Sequence, residues 1–216
     1  MTAVALSRMH YPVTTLGPGQ RLGIWFQGCS IRCRGCVSMD TWAPGSKRTS
    51  VGQLIEAATP ALRKADGITV SGGEPFDQPE ALHELLGQLR DRFEGDILVY
   101  SGHPLEFLDK RLPAFEGLID CLVADPFDAG APQTLALRGG DNQRMVCLTK
   151  LGRERFRPGE RIAEDGPRGL DIMFDDETGE AFLAGIPRPG DMRRLAALLA
   201  AQGHAAIVTE DARSAS

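Results

Sequence analysis

Three cysteines fall within eight residues of this chain, at Cys29, Cys33 and Cys36 in the string GCSIRCRGC. A helix would place the three on one face, but Gly28 and Gly35 lie among them, and glycine is costly inside a helix. We therefore predict a loop, the cysteine loop of residues 28–36, whose sulfurs converge. A four-iron cluster is normally held by four cysteines, so three close thiolates leave one iron open to a small molecule.

The cysteine count favours metal ligation over a disulfide framework. The chain has five cysteines, an odd number, and three of them are too closely spaced for ordinary disulfides. This usage indicates a reducing compartment. The other two, Cys121 and Cys147, lie in apolar runs and are predicted to pack as small hydrophobic residues. A closed zinc site is the metal alternative, although no histidine or cysteine follows at a spacing typical of zinc.

Length and charge limit the classes of function. With 216 residues, 42% of them hydrophobic, the chain can bury a substantial core, most economically as one domain. A net charge of −5 gives no electrostatic basis for binding nucleic acid or an anionic membrane. No apolar run approaches the roughly 20 residues of a membrane-spanning helix, and the first residues lack the order of a signal peptide. We expect a cytoplasmic protein.

Short β-like runs alternate with helical patterns, which is the order of parallel βα units. Ser50 and Gln53 form a capping-box pattern at the start of one helix, and Pro79 suits the first turn of the next. Residues 125–141 are rich in Gly, Pro and Asp and are predicted to form a functional loop. Strands are predicted over residues 22–26, 67–71, 96–100, 118–124 and 144–149, with a short helix over 105–111.

The pattern changes after residue 150. Residues 171–174 and 181–184 flank the string DDETGE and predict a β-hairpin with Gly179 in its turn. A helix over 191–202, a last strand over 205–209 and a disordered tail from Glu210 follow. We divide the chain into a core, residues 1–150, and an extension, residues 151–216, packed on that core.

A second motif follows the second predicted strand. The string SGGEP occupies residues 71–75, the double-glycine turn, and together with the cysteine loop it resembles the radical S-adenosylmethionine superfamily. The strings GPGQR, DTW, YSG, ADPF and RGGDNQR are similar, in order, to those of anaerobic ribonucleotide reductase activating enzymes, which are activating enzymes of glycyl-radical enzymes. The resemblance covers roughly the first two thirds of the chain.

The resemblance implies a fold and two cofactors. The fold is α/β, an incomplete (β/α) barrel with a small hairpin and helix extension, although the pattern alone fits an open doubly wound sheet equally well. The cofactors are a [4Fe-4S] cluster and S-adenosylmethionine. Paired glycines let a ligand approach the backbone, and an adjacent carboxylate can accept hydrogen bonds from an ammonium group. The residues implied are Cys29, Cys33 and Cys36 for the cluster, and Ser71, Gly72, Gly73, Glu74 and Pro75 for S-adenosylmethionine.

Four further residues are candidates, and three of them have a structural alternative. Ser101, at the end of a predicted strand, would help to hold the cofactor or would cap a backbone group. Arg21 follows a glycine-rich turn that in the resembling family lies near the active site, which makes it a candidate for binding substrate. Asn142 and Arg144 would contact substrate or would tie down the long loop.

Two groups of arginines carry positive charge near these motifs. Arg32 and Arg34 flank the central cysteine, where they would favour the thiolate or would simply be solvated. Residues 153–161 contain four arginines, and a solvated basic face is the default interpretation. The alternative is a docking patch for an acidic electron donor such as a flavodoxin or ferredoxin.

The resemblance implies reductive cleavage of S-adenosylmethionine, followed by hydrogen abstraction from a glycine of a partner such as anaerobic ribonucleotide reductase. An alternative keeps the radical chemistry but modifies a small molecule or a peptide. A third hypothesis, from another class, is a non-catalytic iron–sulfur protein that carries electrons or senses oxygen. The double-glycine turn disfavours the third, because such a protein needs no site for a sulfonium ligand.

Overall fold

A seven-stranded mixed sheet forms the centre of the computed structural model, which describes residues 2–45, 48–157, 159–161, 169–174 and 181–204. In space the strands run β3, β1, β2, β4, β5, β6, β7. Their bounds are β1 Ala3–Val13, β2 Arg21–Phe26, β3 Arg48–Ser50, β4 Gly67–Gly72, β5 Asp96–Tyr100, β6 Cys121–Ala124 and β7 Arg144–Cys147. The chain therefore has an α/β fold.

The four central strands, β2, β4, β5 and β6, pair in parallel, as the alternation of strands and helices predicts. Their side chains are almost all buried, which is typical of a parallel sheet covered on both faces. Phe26 at the end of β2 pairs with Gly72 at the end of β4. The loops that follow these two strands, the cysteine loop and the double-glycine turn, therefore leave the sheet side by side.

Helices α1 (Val51–Leu62) and α2 (Pro79–Arg90) cover one face of the sheet. Helix α1 begins with the predicted capping box: the Ser50 hydroxyl accepts from the Gln53 backbone N–H, and the Gln53 side chain accepts from the Ser50 N–H. Helix α2 begins at Pro79, also as predicted. The apolar faces of both helices pack on Leu22, Ile68 and Ile97 of the strands.

Several elements differ from the predictions. Strand β1, which pairs antiparallel with β2, and strand β3 were not predicted. The strand predicted over 118–124 begins at Cys121, and the helix predicted over 105–111 is one short turn, α3, at Leu105–Leu108. The strand predicted over 144–149 ends at Cys147. Thr149 instead caps helix α4, Lys150–Arg155, by accepting from the Gly152 N–H, so the strand cannot continue through it.

The extension forms the predicted hairpin. Strands β8 (Leu170–Phe174) and β9 (Ala181–Gly185) pair antiparallel, and helix α5 follows at Asp191–Ala201. The turn containing Gly179, the strand predicted over 205–209 and the tail from Glu210 lie outside the described residues. None of the helices that the structure describes is both long and apolar enough to cross a membrane.

Candidate functional site

The cysteine loop and the double-glycine turn are joined by backbone contacts. The N–H of Gly73 donates to the Phe26 carbonyl, and the N–H of Glu74 donates to the Gly28 carbonyl, each at 2.8 Å. A Cβ atom on Gly73 would lie 2.0 Å from the Gly28 oxygen, and one on Gly72, whose φ is +103°, would lie 2.5 Å from the Phe26 nitrogen. The close approach therefore requires glycine at both positions.

A cavity of about 190 Å³ lies where these segments meet. Pro75, which was predicted to bind S-adenosylmethionine, does not line it; this residue is buried at the start of the 3₁₀ turn Pro75–Asp77. The other residues predicted for the two cofactors do line the cavity, namely Cys29, Cys33, Cys36, Ser71, Gly72, Gly73, Glu74 and Ser101.

Burial dominates the electrostatics of the cysteine loop. It raises the pKa of the Cys33 thiol, and it raises that of Cys36 to about 11, with smaller contributions from the neighbouring thiols. Backbone hydrogen bonds oppose this effect: Phe127 lowers the pKa of Cys33, and Ser38, whose N–H donates to the Cys36 sulfur at 3.4 Å, lowers that of Cys36. The Arg32 N–H also donates to the Cys29 sulfur at 3.5 Å. A metal cation would remove the remaining cost of ionising the thiols, because ligating cysteines bind as thiolates.

Trp42 adds a second kind of donor. Its indole N–H is buried and has no hydrogen-bond partner of ordinary length among the described residues, yet the side chain interacts with the Cys36 sulfur and lowers the pKa of that thiol. Donors directed at ligating sulfurs are a usual feature of iron–sulfur sites. The three sulfurs and the donors beside them therefore fit a thiolate-bound cluster.

The same geometry does not fit a single zinc ion. Zinc requires donors within about 2.3 Å of one point. No group of three or more His, Cys, Asp or Glu side chains in the described part of the chain is arranged to hold one metal ion. In a cubic cluster each thiolate binds a different iron atom, so sulfurs that surround a common space suffice.

Glu74 is 1% exposed and connects the ends of β4 and β5. Its carboxylate accepts hydrogen bonds from the Phe76 N–H at 3.0 Å, the Ser101 hydroxyl at 2.9 Å and the Gly102 N–H at 2.7 Å. Burial raises its pKa to about 7. Ser101 also accepts from the His103 N–H at 3.1 Å, so Glu74 and Ser101 together form a fixed wall of the cavity.

Arg21 does not line the cavity, so its predicted contact with substrate is wrong. It lies at the start of β2, the end of the strand opposite to the cysteine loop, and its side chain is fully buried. The guanidinium donates to the Asp96 carboxylate and to the Thr69 hydroxyl, each at 2.6 Å. A buried cation needs such partners, which explains the position of this arginine.

Asn142 and Arg144 tie down the long loop, the structural alternative of the prediction. Asn142 donates to the Pro126 carbonyl at 2.8 Å. Arg144 makes two-pronged contacts with Asp125, at 2.6 and 2.7 Å, and with Glu106, at 2.6 and 2.9 Å. Both residues are exposed and neither lines the cavity, so these contacts support the structural alternative, while binding to substrate stays a prediction.

Arg153 and Arg155 of one arginine group lie at the end of the sheet opposite to Arg32 and Arg34 of the other. Arg155 pairs at 2.9 Å with Asp96, the first residue of β5, so α4 and its arginines are at the end away from the cysteine loop. Arg32 and Arg34 are exposed on the cysteine loop itself. Arg32 and Arg34 therefore place positive charge beside the cavity, whereas Arg153 and Arg155 on α4 do not.

Cys121 and Cys147 pack in an apolar cluster, as predicted. They are directly opposite each other on β6 and β7, with their sulfurs 3.7 Å apart. Leu98, Val123 and Phe156 belong to the same cluster. Burial raises the pKa of Cys121, which keeps this thiol protonated.

Much of the cavity wall was not predicted. Trp25 and Tyr100 line it from the ends of β2 and β5, where strand alternation predicts their face but not their function. Phe127 comes from the loop that was predicted to be functional. Residues 183–187, at the end of β9 and immediately after it, also line the cavity, and no pattern in the sequence connects them to this site.

Most of the residues that form the cavity lie in a part of the chain that is similar to known proteins. A family model described as 4Fe-4S single cluster domain matches residues 15–146, which include the cysteine loop and the double-glycine turn. The anaerobic ribonucleoside-triphosphate reductase-activating protein of Escherichia coli (strain K12) is 32% identical over 145 residues, covering 62% of this chain and 93% of that protein.

Two further relatives have related names. The anaerobic ribonucleoside-triphosphate reductase-activating protein of Enterobacteria phage T4 is 28% identical over 138 residues, covering 62% of this chain and 87% of the phage protein. The pyruvate formate-lyase-activating enzyme of Streptococcus mutans is 37% identical over 143 residues, covering 62% of this chain but 54% of that enzyme. The first two relatives are therefore matched over nearly their whole length, and the third over about half.

Proposed function

The chain belongs to the family of 4Fe-4S single cluster domains, and from this membership we propose that it is a radical S-adenosylmethionine enzyme that activates a glycyl-radical enzyme. The relatives matched over most of their length are activating proteins of anaerobic ribonucleoside-triphosphate reductase. A reductase of this type is therefore the partner we favour. A relative that activates pyruvate formate-lyase supports the broader class of partner.

The strongest support for the proposal is the close contact between the cysteine loop and the double-glycine turn. The loop with three cysteines and the turn with two glycines are joined so closely that Gly73 touches Gly28, and both segments line one cavity. A protein that only carries electrons has no need for a ligand cavity beside its cluster. The arrangement therefore favours catalysis over electron transfer or oxygen sensing.

The residues around the cavity have distinct roles in this proposal. When bound, the cluster supplies the electron that splits S-adenosylmethionine into methionine and a 5′-deoxyadenosyl radical, which takes hydrogen from the target glycine. Cys29, Cys33 and Cys36 would hold the cluster. Ser71, Gly72 and Gly73 provide a backbone edge that the methionine end of the ligand can approach closely. Orientation by such an edge replaces a chance encounter between the reacting groups.

Glu74 contributes through its position and its charge. Its three protein donors fix the carboxylate at the cavity wall, where it would attract the ammonium group of the ligand. Trp25, Tyr100 and Phe127 make much of the remaining wall apolar. Apolar walls exclude water from the cavity, and water exclusion protects a reactive radical from side reactions.

We also propose a fold type, a domain division, a location and an electron donor for this protein. We propose that the parallel strands form an incomplete barrel with the cavity at its carboxyl mouth, and that residues 151–216 are an extension of a core formed by residues 1–150. A cytoplasmic location would suit oxygen-sensitive thiolate ligands. A flavodoxin or ferredoxin would supply electrons. The overall negative charge supports the absence of nucleic acid and membrane partners.

The first experiment asks whether the protein cleaves its cofactor. The protein is reconstituted with iron and sulfide without oxygen and incubated with dithionite and S-adenosylmethionine. We expect equal amounts of methionine and 5′-deoxyadenosine. Their absence from a preparation with full iron and sulfide content would remove both enzymatic hypotheses and leave an electron carrier or sensor.

A second experiment identifies the target. The loaded enzyme is mixed with an anaerobic ribonucleotide reductase from the same source, and the mixture is examined by electron paramagnetic resonance. A glycyl radical signal that requires both proteins is the expected result. Cleavage without this signal would favour a small molecule, a peptide or another glycyl-radical enzyme as the substrate.

A further inference from the structure

The hairpin formed by β8 and β9 supplies a wall of the cavity from outside the region that the family model matches. The model ends at residue 146, whereas the hairpin begins at Leu170. Ala184, Gly185, Ile186 and Pro187 line the cavity together with the three cysteines. This chain therefore adds its own surface to a site that the matched region otherwise provides.

The hairpin is held in place by a set of hydrogen bonds that we call the Asp171 clasp. The Asp171 carboxylate accepts from the backbone N–H groups of Thr14 and Thr15, at 2.7 and 3.1 Å, and from their hydroxyls, at 2.8 and 2.9 Å. The Thr15 hydroxyl also reaches the Ala184 carbonyl at 3.2 Å. The clasp fixes the hairpin to the segment that precedes β2.

Apolar packing supports the clasp. Met173 and Ala184 are buried against Val13, Leu16 and Trp25, in one cluster that Ile186 extends. The Arg8 guanidinium lies over both the Trp25 ring, at 5.4 Å, and the Phe182 ring, at 4.6 Å. The hairpin is thus seated on β1 and β2, and Ile186 lies between this cluster and the cavity.

The two sides of the cavity differ in chemistry. The cysteines, Gly72, Gly73 and Glu74 form the side that suits a charged amino acid group and a cluster. Leu16, Trp25, Ala184 and Ile186 form an apolar side. Gln133, which donates to the Pro187 carbonyl at 3.1 Å, adds a polar group at its edge. A flat, largely apolar nucleoside with polar edges matches this side.

Resting on the proposed function, we propose that residues 184–187 bind the nucleoside part of S-adenosylmethionine and so determine how tightly this chain holds its cofactor. Ile186 is the main apolar contact. The clasp and the packing beneath it position the segment before the ligand arrives, which reduces the entropy lost on binding.

The test uses the cluster-loaded protein without oxygen and S-adenosylhomocysteine as the probe, measured by calorimetry. We expect Ile186→Ala to weaken binding by about tenfold, because the substitution removes apolar surface from the contact. The matched control is Ile172→Ala, the same substitution on the same hairpin at a side chain that is 58% exposed. It should bind the probe as the unaltered protein does.

A second measurement needs no variant. Hydrogen exchange of the unaltered protein should slow over residues 181–187, as well as over 71–75, when the probe binds. Slowing over 71–75 alone, together with unchanged affinity of Ile186→Ala, would overturn this inference and leave the proposed function standing. A loaded protein that neither binds the probe nor cleaves S-adenosylmethionine would overturn both. If Ile186→Ala does not fold, the exchange result decides.

Discussion

Cys33 and Cys147 are both cysteines, but their surroundings differ. Cys33 belongs to a loop whose sulfurs face an open cavity, whereas Cys147 pairs with Cys121 within an apolar cluster. Spacing along the chain predicted this difference, because only closely spaced cysteines in a glycine-containing loop can converge without help from the rest of the fold. The cavity itself depends on the neighbouring strand and could not be predicted from spacing.

We expect Cys33→Ala to lose most of its iron and sulfide after anaerobic reconstitution, because two thiolates remain to hold the cluster. Cys147→Ala is the matched control and should retain the content of the unaltered protein. Iron and sulfide analysis with visible absorption spectra checks both variants. Full content in Cys33→Ala, or its loss in Cys147→Ala alone, would contradict the ligand assignment.

Arg21 and Arg155 allow a second comparison between identical residues, since both contact Asp96. Arg21 is completely buried, while the Arg155 side chain is 37% exposed. Removing one partner of a buried ion pair costs about 3–5 kcal/mol, and an exposed pair contributes about 0–1 kcal/mol. Arg155 would still compensate Asp96 after Arg21 is replaced, so the lower end of the first range applies.

Arg21→Met should therefore reduce the free energy of unfolding by about 3 kcal/mol, and Arg155→Met by about 1 kcal/mol or less. Urea unfolding of the two variants beside the unaltered protein measures both values. The affinity of folded Arg21→Met for S-adenosylhomocysteine should be unchanged. Equal destabilisation by the two substitutions would contradict the role of burial.

At the scale of elements, the Asp171 clasp can be tested by its effect on the hairpin. Asp141 makes a similar set of contacts in a different loop, where it accepts from the Thr134 N–H and hydroxyl and from the Leu135 N–H. We expect Asp171→Ala to speed amide exchange over residues 181–187 by about tenfold, because lost charge-assisted hydrogen bonds lower the local opening energy.

Asp141→Ala is the control for the clasp and should speed exchange around residue 134 without affecting the hairpin. Exchange in β4 should change in neither variant, since this strand lies in the centre of the sheet. Mass spectrometry of peptides from all three regions provides the measurement. A hairpin that exchanges at its normal rate in Asp171→Ala would mean that apolar packing alone holds it.

The starts of the helices could be predicted from the sequence, whereas strand β1 and the position of the hairpin could not. The start of α1 and the start of α2 depend on Ser50, Gln53 and Pro79, which are signals within a few residues of each helix end. Strand β1 was missed because its register is set by pairing with β2 across a turn, and its alternation of apolar and polar residues is weak. The hairpin was predicted, but its position over the cavity results from tertiary contacts.

At the scale of the whole molecule, the two ends of the sheet carry different basic surfaces. The chain has a net charge of −5, so an acidic electron donor is repelled overall and needs a local basic surface at which to dock. Arg32 and Arg34 are exposed beside the cysteines, whereas Arg153 and Arg157 are exposed near the opposite end of the sheet. Electron transfer favours the end that holds the cluster ligands.

We therefore expect Arg34→Glu to slow reduction of the cluster by a reduced flavodoxin about tenfold at low salt, as electrostatic steering is lost. Arg153→Glu, with the same change in net charge, should have little effect. Stopped-flow absorption measures both rates over a series of salt concentrations. The difference should disappear above about 0.5 M salt, where charges are screened within a few ångströms. A difference that persists at high salt would indicate that Arg34 acts on the cluster itself, and a larger effect of Arg153→Glu would place docking at the other end.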